Sequence, residues 1–589
     1  MPPVHRITHL STLDSGGGAE RVALRLVEAQ RRHGLDAHLL AGKKLLDAPY
    51  THEFPLDPIP SDRLLASEYQ YYHLMGSHRL VHHPLVRGAD VLHLHNLHGG
   101  YFNPFSLLPL AQTRPVVWTL HDMHAFTGHC AHAFDCERWQ EGCGGCPALD
   151  TYPAIPFDQS RSLWADKRLV SEAVDLRLVT PSLWLKRKVE RSFLGRHRVD
   201  HIPNGVDTRV FRPLDRGEMR RRLDLPPDAI LIGGVANGGV LANPWKGGRF
   251  VLETIAALQE SHPDAWFVNI GAHARSEHPR VIDLPRVTDE GQLAALFSML
   301  DVYLFPSIAE NFPLVTLEAM ACGIPVVAFA TGGVPEQIRD GQDGVIAPYG
   351  DGEALIDGLR RLLANSEART RFGRSARERA EREFDHRRIE DRYLAAYAET
   401  AAGHGAAGRS PSMLVPDWVR KAQEGRSAGM LSGAEGLLRL ALELDPDHGA
   451  AVLALSELLA ENGLLEEALR LLESAARRMV GDREVWKHLG VYRFHAGNAP
   501  GAMDALLRAQ ELDPGDLDTL ISLGDMALGE GQDQRAREWF QQACDAHPDE
   551  TDAWAGLAMA CRRLRENRAL ALAQERLRVL APDHPALKP

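Results

Sequence analysis

Pro306-Ser-Ile-Ala-Glu-Asn-Phe-Pro-Leu-Val-Thr-Leu-Glu-Ala-Met-Ala-Cys-Gly-Ile-Pro-Val-Val-Ala-Phe329 is the stretch that decides the fold. The apolar run Asp301–Phe305 before it reads as a strand, and Ile324–Phe329 at its end reads as a second. The helix between them is flanked by two carboxylates, Glu310 and Glu318, and the turn Gly332-Gly333-Val-Pro-Glu336 follows. Ligands of an open parallel sheet sit beyond the carboxyl ends of its strands. Backbone N–H groups over Phe312–Val315, at the helix start, are expected to face an anion there. Carboxylates only accept hydrogen bonds, so beside an anion site they suit a ligand rich in hydroxyls. A sugar nucleotide has both properties.

Strand–helix alternation extends this reading in both directions. Residues 1–200 carry strands at His5–Leu10, Asp36–Ala41, Val91–His95, Val116–His121 and Leu176–Thr180, with a Gly-rich loop at Ser15–Gly18 and a helix over Ala19–His33. Residues 201–400 repeat the pattern at Ile230–Val235, Trp266–Ile270, Val302–Phe305, Val326–Phe329 and Gly344–Ile346, then end in long polar helices. Two α/β, Rossmann-like domains follow from this alternation.

Residues 401–413, rich in Ala, Gly, His and Ser, read as a linker. Beyond it, over 414–589, a 34-residue spacing relates Pro514, Pro548 and Pro582, and Pro446 lies two spacings before Pro514. Ala434, Ala468, Ala502 and Ala536 fall on the same grid, as do Gly463, Gly497 and Gly531. Such a period with small residues at fixed positions predicts stacked helical pairs, ending in a capping unit with Leu570 at the small-residue position.

Composition narrows the function. A net charge of -13 argues against a nucleic-acid partner. No run of about 18 apolar residues is present, so no transmembrane helix is expected. The start lacks the apolar core of a signal peptide, which makes the cytoplasm the expected compartment, with peripheral contact at the inner face of the membrane left open.

The string from Glu310 to Glu318, with Asn311-Phe312-Pro313-Leu314-Val315, the Glu318-Ala-Met-Ala-Cys-Gly323 run and the Gly-Gly turn, resembles the donor-binding segment of the retaining glycosyltransferases of family 4. The C-terminal grid is similar to the tetratricopeptide repeat. The first resemblance implies a GT-B architecture, with two Rossmann-like domains facing across a cleft and the last helix, Ile389–Thr400, crossing back to the first domain. It implies transfer from a nucleotide-diphosphate sugar to an acceptor hydroxyl with retention and no catalytic metal. Gly17 and Gly18 are then placed at the donor diphosphate and the acceptor, and His121 at the donor sugar as a hydrogen-bond donor or a charge-balancing group. Lys246 falls at the departing diphosphate, Glu310 at the sugar and Glu318 at the ribose diol. Asp122 serves the acceptor hydroxyl or caps the next segment. Family members pair the lysine with an arginine a few residues earlier; Ala236–Asn243 holds none, and Asn237 or a residue elsewhere is left to fill that role.

Cys130, Cys136, Cys143 and Cys146 lie in one loop, with His129 and His132 nearby. A structural zinc site is one reading, free or paired thiols the other. The loop resembles an insertion of transferases of exopolysaccharide synthesis and is expected to cover the acceptor side of the cleft. A glycan or glycolipid acceptor follows from that likeness, with a polypeptide as the second choice because solenoids present grooves to extended peptides. The repeat is expected to bind a protein partner. The reading from another class is a repeat scaffold whose transferase module is inactive.

Overall fold

The computed structural model describes residues 4–54, 74–225, 229–404, 415–427 and 431–587. The chain forms two compact units, Met1–Arg409 and Ser410–Pro589.

The first unit holds two sheets, parallel throughout. Strands β1 (Arg6–Leu13), β2 (Asp36–Lys43), β3 (Thr51–Glu53), β4 (Val91–Leu94), β5 (Val116–Thr119), β6 (Arg177–Thr180) and β7 (Arg198–His201) are ordered β3-β2-β1-β4-β5-β6-β7. Strands β8 (Ile230–Gly238), β9 (Ala265–Ala272), β10 (Val281–Leu284), β11 (Val302–Phe305), β12 (Val326–Phe329) and β13 (Gly344–Ala347) are ordered β10-β9-β8-β11-β12-β13. In each sheet the chain reverses direction of travel beside its first strand, at β1/β4 and β8/β11, and such switch points open a crevice at the strands' carboxyl ends.

β4, β5, β11 and β12 are buried along their whole length. Strands covered on both faces read as continuous apolar runs, which is why the sequence exposes them. Three strands escape that reading: β3, β7 and β10. All three are sheet edges, and their sequences Thr-His-Glu, Arg-Val-Asp-His and Val-Ile-Asp-Leu are polar or half exposed, as edges tend to be.

The helix His386–Gly403 returns to the first sheet, where Ile389, Tyr393, Ala396 and Tyr397 pack on Ile7, Val91, Val117 and Val179. Residues 401–403 of the expected linker continue this helix, and residues 405–413 lie outside the described residues.

The second unit is all helical, ten helices among the described residues, from Val415–Ser427 to Asn567–Leu580. Ala434, Ala468, Ala502 and Ala536 are fully buried. Gly463, Gly497 and Gly531 adopt φ of 76°, 79° and 73° at the turns between paired helices. Arg565 occupies the next position of that series with φ 59°, where a side chain is strained. Among the described residues no helix is long and apolar enough to cross a membrane.

Candidate functional site

A cleft of about 390 Å³ lies in the first unit, bounded by segments that follow strand ends of both sheets. Gly16, Gly17 and Gly18 come from the turn after β1, His121 from the end of β5, Asn237 from β8, and Glu310 to Val315 from the loop after β11. Lys246 lines it too. Of the residues expected at the donor, Glu318 alone does not reach the cleft surface.

One pole of the cleft is built for an anion. The helix Leu314–Ala321 starts there behind Pro313, whose side chain offers its N–H groups no cap. The first N–H groups of a helix have no intrahelical acceptor, and the dipole adds partial positive charge. Lys246 is held beside this pole by the Asn243 Oδ1, which accepts from the N–H groups of Trp245 and Lys246 at 3.0 and 3.3 Å. Gly247 then turns at φ 77° so close to the Pro306 carbonyl that a β-carbon would lie 1.9 Å from its oxygen. The Lys246 Nζ donates to Glu310 Oε1 at 2.6 Å, and the Ser307 hydroxyl donates to the same oxygen at 2.7 Å. The lysine and the glutamate thus form one unit, a pairing the sequence does not reveal.

Asn311 and Glu336 join the two sheets' loops. The Asn311 amide donates to the His121 carbonyl at 2.9 Å and accepts from the Ser182 hydroxyl at 2.6 Å. Glu336 accepts from the N–H groups of Leu183 and Trp184, both at 2.7 Å, capping the helix Leu183–Glu190. A β-carbon on Gly333 would lie 2.5 Å from the Asn311 carbonyl oxygen and 2.6 Å from Ser182 Cβ, so no side chain fits there.

Behind His121 runs a chain of buried imidazoles. His121 Nε2 lies 3.0 Å from His95 Nδ1, His95 Nε2 lies 3.0 Å from His9 Nδ1, and His9 Nε2 lies 2.9 Å from Gln30 Oε1. Gln30 donates its other amide atom to the Tyr397 hydroxyl at 3.1 Å, which in turn faces His93 Nδ1 at 2.7 Å. Burial holds His9 and His121 down at about 4 and His95 and His93 well below the usual imidazole value, so all four are neutral near pH 7. A carbonyl oxygen only accepts, so Gln30 fixes the direction of the chain. His9 carries its proton on Nε2, hence His95 on Nε2, hence His121 on Nε2. His121 keeps a bare Nδ1, which accepts a hydroxyl proton rather than donating one. His9, His93 and His95 also bring ligand atoms within 4.8 Å of one another, and this hydrogen-bond chain accounts for their proximity.

Glu318 sits one turn into its helix, fully buried. Its carboxylate accepts from Arg25 at 2.8 Å and Arg21 at 3.2 Å, and Arg25 also donates to Glu290 at 2.7 Å. With both guanidiniums on it, the Glu318 carboxylate is not open to a ribose diol in this arrangement. Arg21 and Arg286 both line the cleft, as does Asn237; these two guanidiniums are the cations near the anion pole that local sequence could not locate, because they arrive from β1's helix and from the loop after β10.

Asp122 caps the segment that follows it, accepting from the His124 N–H at 2.8 Å, and it also pairs with His98 Nε2 at 2.8 Å, a partner the sequence did not indicate. The cysteine loop reaches over from the first sheet. Its His132 ring stacks on Trp184 with centroids 5.6 Å apart, and its Phe134 ring lies 5.1 Å from that of Trp245, the neighbour of Lys246. A larger open groove of about 740 Å³, lined by Trp164, Arg168 and Arg196, lies on the first sheet's side and shares no residue with this cleft.

Residues 16–210 match the family model described as Glycosyltransferase Family 4, residues 239–379 that described as Glycosyl transferases group 1, and residues 426–489 the tetratricopeptide repeat. The chain is 27% identical over 332 residues to a protein named as the colanic acid biosynthesis glycosyl transferase WcaC of Escherichia coli, spanning 53% of this chain and 80% of that protein. It is 33% identical over 242 residues to the D-inositol 3-phosphate glycosyltransferase of Mycobacterium marinum, spanning 38% of this chain and only 50% of that protein. Among solved structures it is similar to sucrose-phosphate synthase from Thermosynechococcus elongatus, with a TM-score of 0.51, 20% identity, and 68% of this chain and 99% of that chain covered.

Proposed function

We propose that this chain, which belongs to the group 1 glycosyltransferases in its first unit and carries a tetratricopeptide repeat in its second, moves a sugar from a nucleotide-diphosphate donor to an acceptor hydroxyl with retention. One observation carries the reading: a single cleft gathers an uncapped helix start, Lys246, Glu310, His121 and the Gly16–Gly18 turn.

The donor diphosphate lies against the N–H groups of Leu314 and Val315, with Gly17 and Gly18 letting the backbone approach from the other side. Lys246 faces the oxygen that gains charge as the glycosidic bond breaks, and Arg286 or Arg21 supplies the second cation. Preorganised charge aimed at a leaving group is effective because nothing must reorganise during the reaction. Glu310, held by Lys246 and Ser307, accepts from the sugar's hydroxyls. His121 accepts from another through Nδ1, its tautomer set by His95, His9 and Gln30. The acceptor hydroxyl attacks from the face the diphosphate leaves, and the departing diphosphate takes its proton. These fixed cations and the helix dipole do the work a metal ion does elsewhere.

A glycan or glycolipid of surface polysaccharide synthesis is the acceptor class we favour, in line with the likeness to WcaC; the repeat unit recruits a protein partner. Incubating the purified chain with uridine, guanosine and adenosine diphosphate sugars, and following nucleoside diphosphate release and the anomeric proton of the product, tests this. Turnover of one donor with retained anomeric configuration is expected. No turnover and no donor binding would leave the repeat as the working part, and an inverted product would remove the same-face mechanism.

A further inference from the structure

The geometry points to a structural zinc site in the loop that packs on Trp184 and Trp245, built from Cys130, Cys136, Cys143 and Cys146. All four thiols are free and partly buried, and all four line one void of about 20 Å³, together with His129. That volume accommodates one small occupant. Four cysteines around a void of this size match the ligand set of a closed tetrahedral zinc centre.

Local backbone supports the assignment. Between Cys143 and Cys146, Gly144 and Gly145 adopt φ of 124° and 55°, folding the pair into a tight knuckle whose two cysteines line the same void. The Gly128 N–H donates to Cys143 Sγ at 3.3 Å, a bond that favours the thiolate. His129 Nδ1 faces the Pro153 carbonyl at 2.9 Å, so its proton is on Nδ1 and a bare Nε2 lies 3.4 Å from Cys146 Sγ. A second donor atom with its tautomer fixed by a backbone carbonyl is the arrangement found around metal ligands. Lys167, buried beneath the loop, donates to the carbonyls of His124 and Thr127 at 2.7 and 3.1 Å and offsets the negative charge that thiolates bring.

The sulfurs are looser than bound ligands: among the described residues no three of these atoms lie within 4.8 Å of one another, whereas sulfurs about 2.3 Å from one zinc stand about 3.8 Å apart. Binding therefore contracts the loop, and its free energy becomes folding free energy of a segment with little apolar core. Contraction fixes His132 and Phe134 against Trp184 and Trp245, so the metal sets the position of this loop beside Trp245, the neighbour of Lys246.

The test is the metal content of the full chain, purified under reducing conditions without chelator. About one zinc per chain is expected, released by a thiol-specific mercurial. Cys143→Ser and Cys146→Ser should each lose most of it, and cobalt loaded in its place should show a thiolate charge-transfer band. Limited proteolysis guards against a misfolded variant: the parent stripped of zinc should be cut between residues 130 and 146 while the rest of the first unit stays intact. Metal-free parent protein of unchanged protease resistance, or a mass showing the cysteines paired as disulfides, would overturn the assignment. Both readouts are independent of sugar transfer.

Discussion

Replacing Lys246 by methionine removes one positive charge while keeping the length of the side chain. The leaving diphosphate gains about one unit of charge as the bond breaks. A full charge 4 Å away, at an effective dielectric of about 20, interacts with it by about 4 kcal/mol. Lys246 is one-third exposed, and its Nζ already lies 2.6 Å from Glu310, so solvent and the glutamate reduce this to about 2 kcal/mol. That is a fall of about 30-fold in kcat. The donor KM should change by less than about threefold, because the helix start still holds the ground-state diphosphate. Donor hydrolysis with the preferred sugar nucleotide measures both constants, and Glu310→Gln with the double variant completes a cycle: the pair touches, so the effects should not add. A Lys246→Met enzyme with kcat within threefold of the parent would refute the assignment of this lysine to the leaving group.

Gln30→Leu removes the carbonyl that orients the imidazole chain, and kcat should fall about tenfold with donor KM held, since His121 then samples both tautomers; an unchanged kcat would mean the chain serves packing only. His9 and His121, pushed to about 4 by burial, bind fewer protons folded than unfolded between about pH 4 and 6.5. The stability they support is present above 6.5 and falls with pH through that window, by up to about 1.4 kcal/mol per group per pH unit; melting of the first unit between pH 7.5 and 5 measures it, and a flat profile would contradict their buried, neutral state. In the repeat, Arg565→Gly relieves a left-handed backbone and should stabilise by about 1 kcal/mol, whereas Gly524→Ala, whose new carbon would fall 2.6 Å from the Phe540 ring, should destabilise by about 1–3 kcal/mol in thermal or urea unfolding.

The architecture was legible where burial left a periodic trace. Central strands, fully covered, betray themselves as apolar runs, and the 34-residue spacing of Ala and Gly marks the helix pairs of the second unit up to the last, where Leu570 and Arg565 take those positions. Of the four edge strands, β3, β7 and β10 left no such trace, and only β13 did. The cleft was legible where one segment carries several contacts, as Glu310–Val315 does. It was hidden where partners come from distant segments: the Lys246–Glu310 pair is separated by 64 residues, and Arg21 and Arg25 lie almost 300 residues from Glu318. A sequence pattern also cannot show that Glu318 is occupied by two guanidiniums, or that His9 and His95, read as ordinary strand residues, fix the tautomer of His121.

The central claim is that an anionic, hydroxyl-rich donor lodges at the start of the helix Leu314–Ala321. Val315→Asp tests it most directly, because an acid in the first turn stabilises the helix while repelling an anion from its end. Thermal melting with nucleoside diphosphates and their sugars should show a nucleotide-dependent rise in the parent, about 2.7 kcal/mol of stabilisation at a hundredfold excess over Kd. The same ligand should leave the folded Val315→Asp protein unmoved. A parent that responds to none of them, or a variant that responds as strongly as the parent, would contradict the account.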